Sequence, residues 1–400
     1  MLVQWPLLQV IDALLRPMPR DQHLVAMGAP LDRFADNAAY LFLHLSDQDG
    51  EVITPVWISG SARVVTLLRA QGYAAELRWS WAGIRTCLTA GTYVYSGYRS
   101  DISRWLSSGA TTLCLWHGIP IKRIHTDGPF PRPRRARFPR TRGPAQESAP
   151  DLLLSSTPTV TRGSLVSAFA ISEERCWELG YPRNDHLVRA PDDPHPVLFS
   201  STIERDRLRD ADFVVGLFLT WRDDKAVDIA SAELVTRLAQ VCEERGALLA
   251  YKAHYNVAPA EVDVPSCVQL PPESDLAAYL GMCDVLITDY SSIAFDFSLL
   301  ARPTLYFMPD LEQYAAMRGF YFDPLTLPGT VTRDSESLAQ NLDQLLSAPR
   351  PLAESEGADA LRSCVWGDYD GHAASDVASA LHQDIDRRLA ARSDRHQPRR

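Results

Sequence analysis

Four apolar stretches of this chain end in residues that can do acid, base or anion chemistry. The stretch "CDVLITDYSSIAFDF" runs apolar through Val285, Leu286 and Ile287 and turns abruptly polar at Thr288, Asp289, Tyr290, Ser291 and Ser292. A helix N-terminus carries about half a positive charge and several unpaired amides, so serines opening a helix suit a phosphate without a glycine-rich loop. The other reading is that Asp289 or Ser291 merely caps that helix. "LCLWHGIPIK" delivers His117 and Gly118, with Lys122 following, a pattern for a base beside an anion partner. "LAYKAHYN" delivers Lys252 and His254, and "LFLTWRDDK" delivers Thr220, Arg222 and Asp223. A single histidine at a strand end is most often a hydrogen-bonded core residue; four polar strand ends in one chain point instead to a shared cleft.

The elements that must carry these residues alternate. "HLVAMG", "ITPVWIS", "TYVYSG", "TTLCLWHG" and "DLLLSS" read as buried strands in the first half, with helical periodicity over 61–71 and 81–90. The second half repeats the design with "FVVGLFL", "LLAYKAH", "DVLITDY" and "PTLYFM", interleaved with helices near 226–245, 274–281, 291–301 and 310–317. Strand alternating with helix predicts α/β architecture: two doubly wound, Rossmann-like domains with parallel sheets, facing each other across a cleft. Ligands of such sheets bind beyond the carboxyl ends of the strands, which is where the polar residues arrive. The turn-forming passage "RAPDDPHP" at 189–196 is the expected linker, giving domains at 1–190 and 191–387, and "RRLAARSDRHQPRR" predicts a helix end followed by a basic tail over 388–400.

Composition narrows the class. A chain of 400 residues, 46% hydrophobic, exceeds one ordinary core. Its net charge of −10 disfavours a general role in wrapping nucleic acid, which needs a surplus of Lys and Arg on at least one broad face. The seven cysteines are scattered without a CxxC pair, so they read as buried thiols of a reducing compartment. The N-terminal "MLVQWPLLQVIDALLRPMPR" fits neither a signal peptide nor a membrane span, because Gln9, Asp12 and Pro17 interrupt its apolar run. As an amphipathic helix it is expected to pack on its own domain, the other reading being a peripheral membrane contact through Trp5, Leu7, Leu8 and Leu14. The arginine-rich "RPRRARFPRTR" at 132–142 reads either as a solvated loop or as a contact for anionic head groups or a polyanionic acceptor.

Taken in order, "GAPLDRFADNAAYLF", "WHGIPIKRI", "GYPRND", "TWRD", "YKAHYN", "TDYSSIAFDF" and "RPTLYFMPDLEQYAAMRGFYFD" resemble the CDP-glycerol glycerophosphotransferase family, the teichoic-acid primases and polymerases of bacterial envelopes. The resemblance spans about residues 24–348, the last four motifs in this order being the specific part. Tyr255 and Leu219 depart from it, standing where the family commonly has proline. The resemblance implies a GT-B-like domain pair, the nucleotide donor held mainly by the second domain and the acceptor approaching from the first.

It further implies transfer of a polyol phosphate from CDP-glycerol or another CDP-polyol to a hydroxyl of a lipid-linked or polymeric acceptor, with release of CMP. Such chemistry is mostly positioning and charge stabilisation. His117 is then expected as the base on the acceptor hydroxyl, with Gly118 and Lys122 on the acceptor or phosphate side. His254 and Lys252 stabilise the pyrophosphate oxygens, with Arg222 a further candidate. Ser291 and Ser292 cradle a phosphate; Thr288, Asp289 and Asp296 order that loop or meet donor hydroxyls. No metal ligand set is specified: "RDD" at 222–224 and "DD" at 192–193 read as turn or linker carboxylates, and magnesium stays open. The expected place is the cytoplasmic face of the cell membrane. A glycosyltransferase or a non-hydrolysing sugar epimerase of the same architecture, and an inactive scaffold subunit of an envelope-polymer assembly, are the competing readings.

Overall fold

The protein is described by a computed structural model covering residues 10–396, except 12, 49–52, 130–148, 192–193, 200, 221, 223–230, 253–263, 349–351 and 353–355. Two parallel sheets organise it. The first, of seven strands, comprises β1 (Asp21–Gly28), β2 (Thr54–Ser59), β3 (Ala75–Leu77), β4 (Ala90–Tyr95), β5 (Thr111–Cys114), β6 (Leu152–Ser155) and β7 (Cys176–Glu178) in the order β3-β2-β1-β4-β5-β6-β7. The second, of six, comprises β8 (Val214–Leu217), β9 (Leu248–Lys252), β10 (Cys267–Leu270), β11 (Val285–Thr288), β12 (Thr304–Phe307) and β13 (Thr330–Thr332) in the order β10-β9-β8-β11-β12-β13. Every described pairing within them is parallel.

The central strands are apolar on both faces because helices cover both sides, and β4, β8, β11 and β12 are buried throughout. In the first domain the helices named here are α1 (Asp36–Ser46), α2 (Ala62–Ala70) and α3 (Trp81–Thr89); Ser61 and Ser80 cap the last two by accepting from Val64 and Gly83 amides. In the second they are α4 (Ala232–Glu244), α5 (Leu276–Leu280), α6 (Ile293–Ser298), α7 (Leu311–Arg318) and α8 (Ser335–Ser347). One apolar cluster fills the first domain and continues onto the near face of the second sheet, including Phe218, Leu286 and Phe295. The far face packs separately under α4 and α8, around Val215, Leu238, Ile287 and Leu342.

The two-domain parallel α/β fold is the expected one, with two differences of detail. β3, β7, β10 and β13 had no counterpart in the sequence reading, and they are the four sheet edges. Each has three or four residues and is half-exposed, too short for an apolar run to register. The second difference concerns the C-terminus. Helix α9 (Ala373–His396) continues through the region expected as a basic tail from 388, and it lies on the first domain rather than the second. Arg388 fixes it there, donating to Gln22 Oε1 at 2.8 Å and Thr92 Oγ1 at 2.9 Å on β1 and β4. Near the N-terminus, Val10 and Leu14 are exposed rather than packed; Trp5, Leu7 and Leu8 lie outside the described residues.

Candidate functional site

Strand order reverses at β1/β4 in the first sheet and at β8/β11 in the second, and at such switch points the loops beyond the strands part to leave a crevice. Between them lies a cavity of about 320 Å³. Arg33, Asp36, His117 and Arg183 line it from the first domain, and Asp275, Ser291, Ser292 and Asp296 from the second.

His117 stands just beyond β5. The turn is tight: Trp116 has φ 53° and Gly118 φ 113°, and a Cβ on Gly118 would lie 2.4 Å from Arg183 Nη2. Only glycine accommodates both that backbone and the guanidinium beside it. The imidazole leans on the Trp116 ring, centroids 3.8 Å apart, and bonds the Ser96 backbone. Asn37, at the start of α1, braces the turn by donating to the Trp116 carbonyl at 2.9 Å while accepting from the Arg183 amide at 3.1 Å. His117 is open to the cleft, yet the crowding of both domains and then the Arg183 charge hold it below the ordinary histidine pKa, so it is neutral at pH 7.

Arg183 joins the domains. Its guanidinium donates to Asp36 Oδ1 at 2.9 Å and to Asp296 Oδ2 at 2.6 Å, while Asn184 takes Asp296 Oδ1 at 2.8 Å. Asp296 is 1% exposed and each of its oxygens accepts one of these bonds, so its carboxylate ties α6 to the first domain. Asp36 leans across in turn, its amide donating to Asp275 Oδ2 at 3.0 Å. Burial raises the Asp36 pKa to about 6, Arg183 opposing and Asp275 reinforcing.

Arg222, Thr288 and Asp289, expected at the donor, are engaged with partners inside the second domain. Arg222 is 5% exposed, donating to Asp289 Oδ2 at 2.8 Å and through Nε to Asp310 Oδ2 at 2.7 Å, with the Tyr290 and Tyr314 rings 4.9 and 4.6 Å from its guanidinium carbon. Asp289 also accepts from the Thr220 amide at 2.9 Å, and Thr288 Oγ1 donates to the Phe218 carbonyl at 2.7 Å. These three residues seal β8 to β11 behind the cavity, because a buried arginine is held only when carboxylates satisfy it.

Ser291 and Ser292 are the part of that motif turned to the cavity. Ser292 makes no side-chain cap on α6, and its hydroxyl lies 3.3 Å from where a Gly118 Cβ would be, so the two walls meet there. Ser291 Oγ lies 3.5 Å from the Ile293 amide. Lys252 closes β9 and donates to the Ser274 carbonyl at 2.7 Å; burial, then Arg33, lowers its pKa to about 8. The Lys122 backbone bridges to Phe320 of the second domain, with its charge near enough to His117 to disfavour protonation. His254, Asp223 and the 132–142 segment lie outside the described residues.

Sequence reasoning singled out none of Arg33, Asp36, Arg183 and Asp275. The first three sit inside "GAPLDRFADNAAYLF" and "GYPRND", so the signal was present without a chemical reason to pick residues from it. Among the described residues no group of three or more His, Cys, Asp or Glu could hold a metal ion, and no helix is long and apolar enough to cross a membrane.

A family model described as CDP-Glycerol:Poly(glycerophosphate) glycerophosphotransferase matches residues 14–383. A teichoic acid poly(glycerol phosphate) polymerase of Staphylococcus epidermidis is 30% identical over 320 residues, 73% of this chain and 43% of that protein. One of Bacillus subtilis is 31% identical over 307 residues, 70% of this chain and 38% of that protein. This chain thus spans less than half the length of either relative. Among solved structures, the wall teichoic acid polymerase TagF superposes with a TM-score of 0.71 at 23% identity, over 96% of this chain and 94% of that one. A UDP-N-acetylglucosamine 2-epimerase of Listeria monocytogenes, described as putative, reaches 0.51 at 12% identity, over 90% and 96%.

Proposed function

The chain belongs to the CDP-glycerol:poly(glycerophosphate) glycerophosphotransferase family, and on that premise we propose that it transfers glycerol phosphate, or a related polyol phosphate, from a CDP-polyol to a hydroxyl of an envelope polymer, releasing CMP. The observation that carries this reading is that His117 on one wall and Ser291 and Ser292 on the other line a single cavity.

In the proposed step the acceptor oxygen attacks the phosphorus bearing the polyol. His117 takes the acceptor proton, the phosphoanhydride bond breaks, and the bond electrons leave with CMP. A positioned base is worth about a hundred- to ten-thousandfold in rate. Ser291 and Ser292 donate to phosphate oxygens as the charge shifts towards the leaving group. No protein nucleophile is required. His254 keeps the role that the family resemblance gives it, at the pyrophosphate. The acceptor is lipid-linked or polymeric, and the enzyme works at the inner face of the membrane; exposed Val10 and Leu14 supply an apolar contact for that surface.

The test is nucleotide product analysis on purified protein with CDP-glycerol, CDP-ribitol and a panel of UDP- and GDP-sugars, with and without a membrane fraction as acceptor source. The expected result is CMP from one CDP-polyol, dependent on acceptor and lost in His117→Ala. Release of UDP or GDP would reassign the protein to the glycosyltransferases. Turnover of a nucleotide sugar without acceptor would indicate an epimerase.

A further inference from the structure

The loops beyond the first sheet hold two tryptophans out in solvent. Trp79 and Trp81 follow β3 and are 62% and 90% exposed. The turn that carries them is built rather than slack: the Ser80 hydroxyl donates to the Leu77 carbonyl at 2.9 Å and accepts the Gly83 amide at 3.0 Å, and that carbonyl leaves no room for a Cβ on Gly83. Arg78, between Leu77 and Trp79, donates to Asp32 Oδ1 at 2.5 Å, the Asp101 carbonyl at 2.7 Å and the Ile102 carbonyl at 2.6 Å. One arginine thus ties together the loops after β1, β3 and β4, and these loops also expose Leu31 and Tyr98. Pro30 and Arg33, on either side of that first loop, line the cavity, so the apolar rim borders its mouth.

The segment that carries the tryptophans is basic. Residues 54–100 hold five arginines and one carboxylate, Glu76, in a chain whose net charge is −10. Arg85 stands one turn along α3 from Trp81, exposed and without a carboxylate partner among the described residues. Arg63, in the first turn of α2, stays mostly exposed in its pair with Glu273. Indole surface held rigidly in water costs free energy, and a partner that relieves the cost here must accept apolar area and cationic charge together. The surface of an anionic bilayer does both. Indole rings settle at head-group level with their N–H still hydrated, and each arginine near the surface strengthens binding by about fivefold.

We propose that Trp79 and Trp81, with the arginines around them, form the surface by which this chain docks on an anionic lipid bilayer, and that docking turns the cavity mouth to the membrane. The proposal deepens the function given above and rests on it for the reason a cavity should face lipid: an acceptor hydroxyl on a lipid carrier then meets His117 without leaving the bilayer surface. Val10 and Leu14 cannot do the same. They precede β1 at the opposite end of the strands, where Arg16 stands against Gly109 ahead of β5, so they can tether the chain beside a membrane but leave the cavity turned away.

The experiment is co-sedimentation of the full chain with vesicles of phosphatidylcholine, alone and mixed with phosphatidylglycerol. Binding is expected to the mixed vesicles, more weakly to phosphatidylcholine alone, and to fall as salt rises. The double variant Trp79→Ala, Trp81→Ala should lower it at least about tenfold by removing the inserted area. Phenylalanine at both positions should restore part of the loss, and Ile203→Ser, at an exposed apolar residue of the second domain, should match the wild type. Thermal melts verify that each variant is folded. Failure of the wild type to bind the mixed vesicles, equal binding to both kinds, or undiminished binding by the folded double variant overturns the docking surface. Where Val10→Ser, Leu14→Ser abolishes binding and the tryptophan variant does not, the contact lies at the other end of the sheet. A tryptophan variant that binds vesicles normally but loses CMP release gives the rim to the acceptor, and the docking surface again falls. If vesicles bind through the tryptophans while no CDP-polyol yields CMP, the surface stands and the proposed function falls.

Discussion

Arg222 and Arg33 stand in corresponding places, each in the loop that follows the first strand of its sheet, and the fold uses them in opposite ways. Arg222 lies between Asp289 and Asp310 with two tyrosine rings against it, most of its donors already engaged within the protein. Arg33 lines the cavity, and its guanidinium has no hydrogen-bond or carboxylate partner among the described residues. The same division runs through the "TDYSS" motif: Thr288 and Asp289 close the sheet from behind, while Ser291 and Ser292 open onto the cleft. A polar residue at a strand end therefore becomes structural or functional according to whether its partner is already in the protein.

That contrast can be broken at several points. The largest effect is expected on the open side, where His117→Ala should lower acceptor-dependent CMP release by about a hundred- to ten-thousandfold while leaving the melting temperature unchanged. Near-normal turnover would remove His117 from the chemistry. On the sealed side, Arg222→Met leaves Asp289 and Asp310 buried without their cation, and urea unfolding should show a loss of about 3–5 kcal/mol. A stable Arg222→Met protein that had lost only donor affinity would erase the distinction between the two regions.

Gly118→Ala tests the seam between them. It imposes a positive φ on a residue with a side chain and drives Cβ against Arg183, so about 1–3 kcal/mol of stability is expected to go, with activity falling as His117 shifts. Ser292→Ala removes one donor from the cleft and caps nothing, so it should raise KM for the CDP-polyol by up to about tenfold with little change in unfolding. The smallest effect is on pH. Lys252 titrates near 8, so its charge is present below that pH and lost as pH rises through it. Affinity for the CDP-polyol, whose pyrophosphate the family resemblance gives to Lys252, should therefore weaken several-fold between about pH 7 and 9, and Lys252→Arg, which keeps its charge, should flatten the profile. An unchanged profile in the wild type would take Lys252 away from that pyrophosphate.

The central strands and their polar ends were legible in the sequence because buried parallel strands are written as continuous apolar runs, and the residue that ends such a run stands out. The edge strands were not, since three or four half-exposed residues carry no period. Nor was the placement of α9, whose attachment through Arg388 depends on Gln22 and Thr92 at the other end of the chain.

By itself, then, the sequence determined the alternating α/β order, the two parallel sheets, the family and the set of polar residues beyond the strands. Only the tertiary structure decided which of those residues are used up. The partners of Arg222 are 67 and 88 positions away, and those of Arg183 are 113 and 147 away. The free energy of a buried charge depends on what stands within a few ångströms of it rather than on its neighbours in the chain, so of two arginines in equivalent loops one is held between carboxylates and the other lines the cavity.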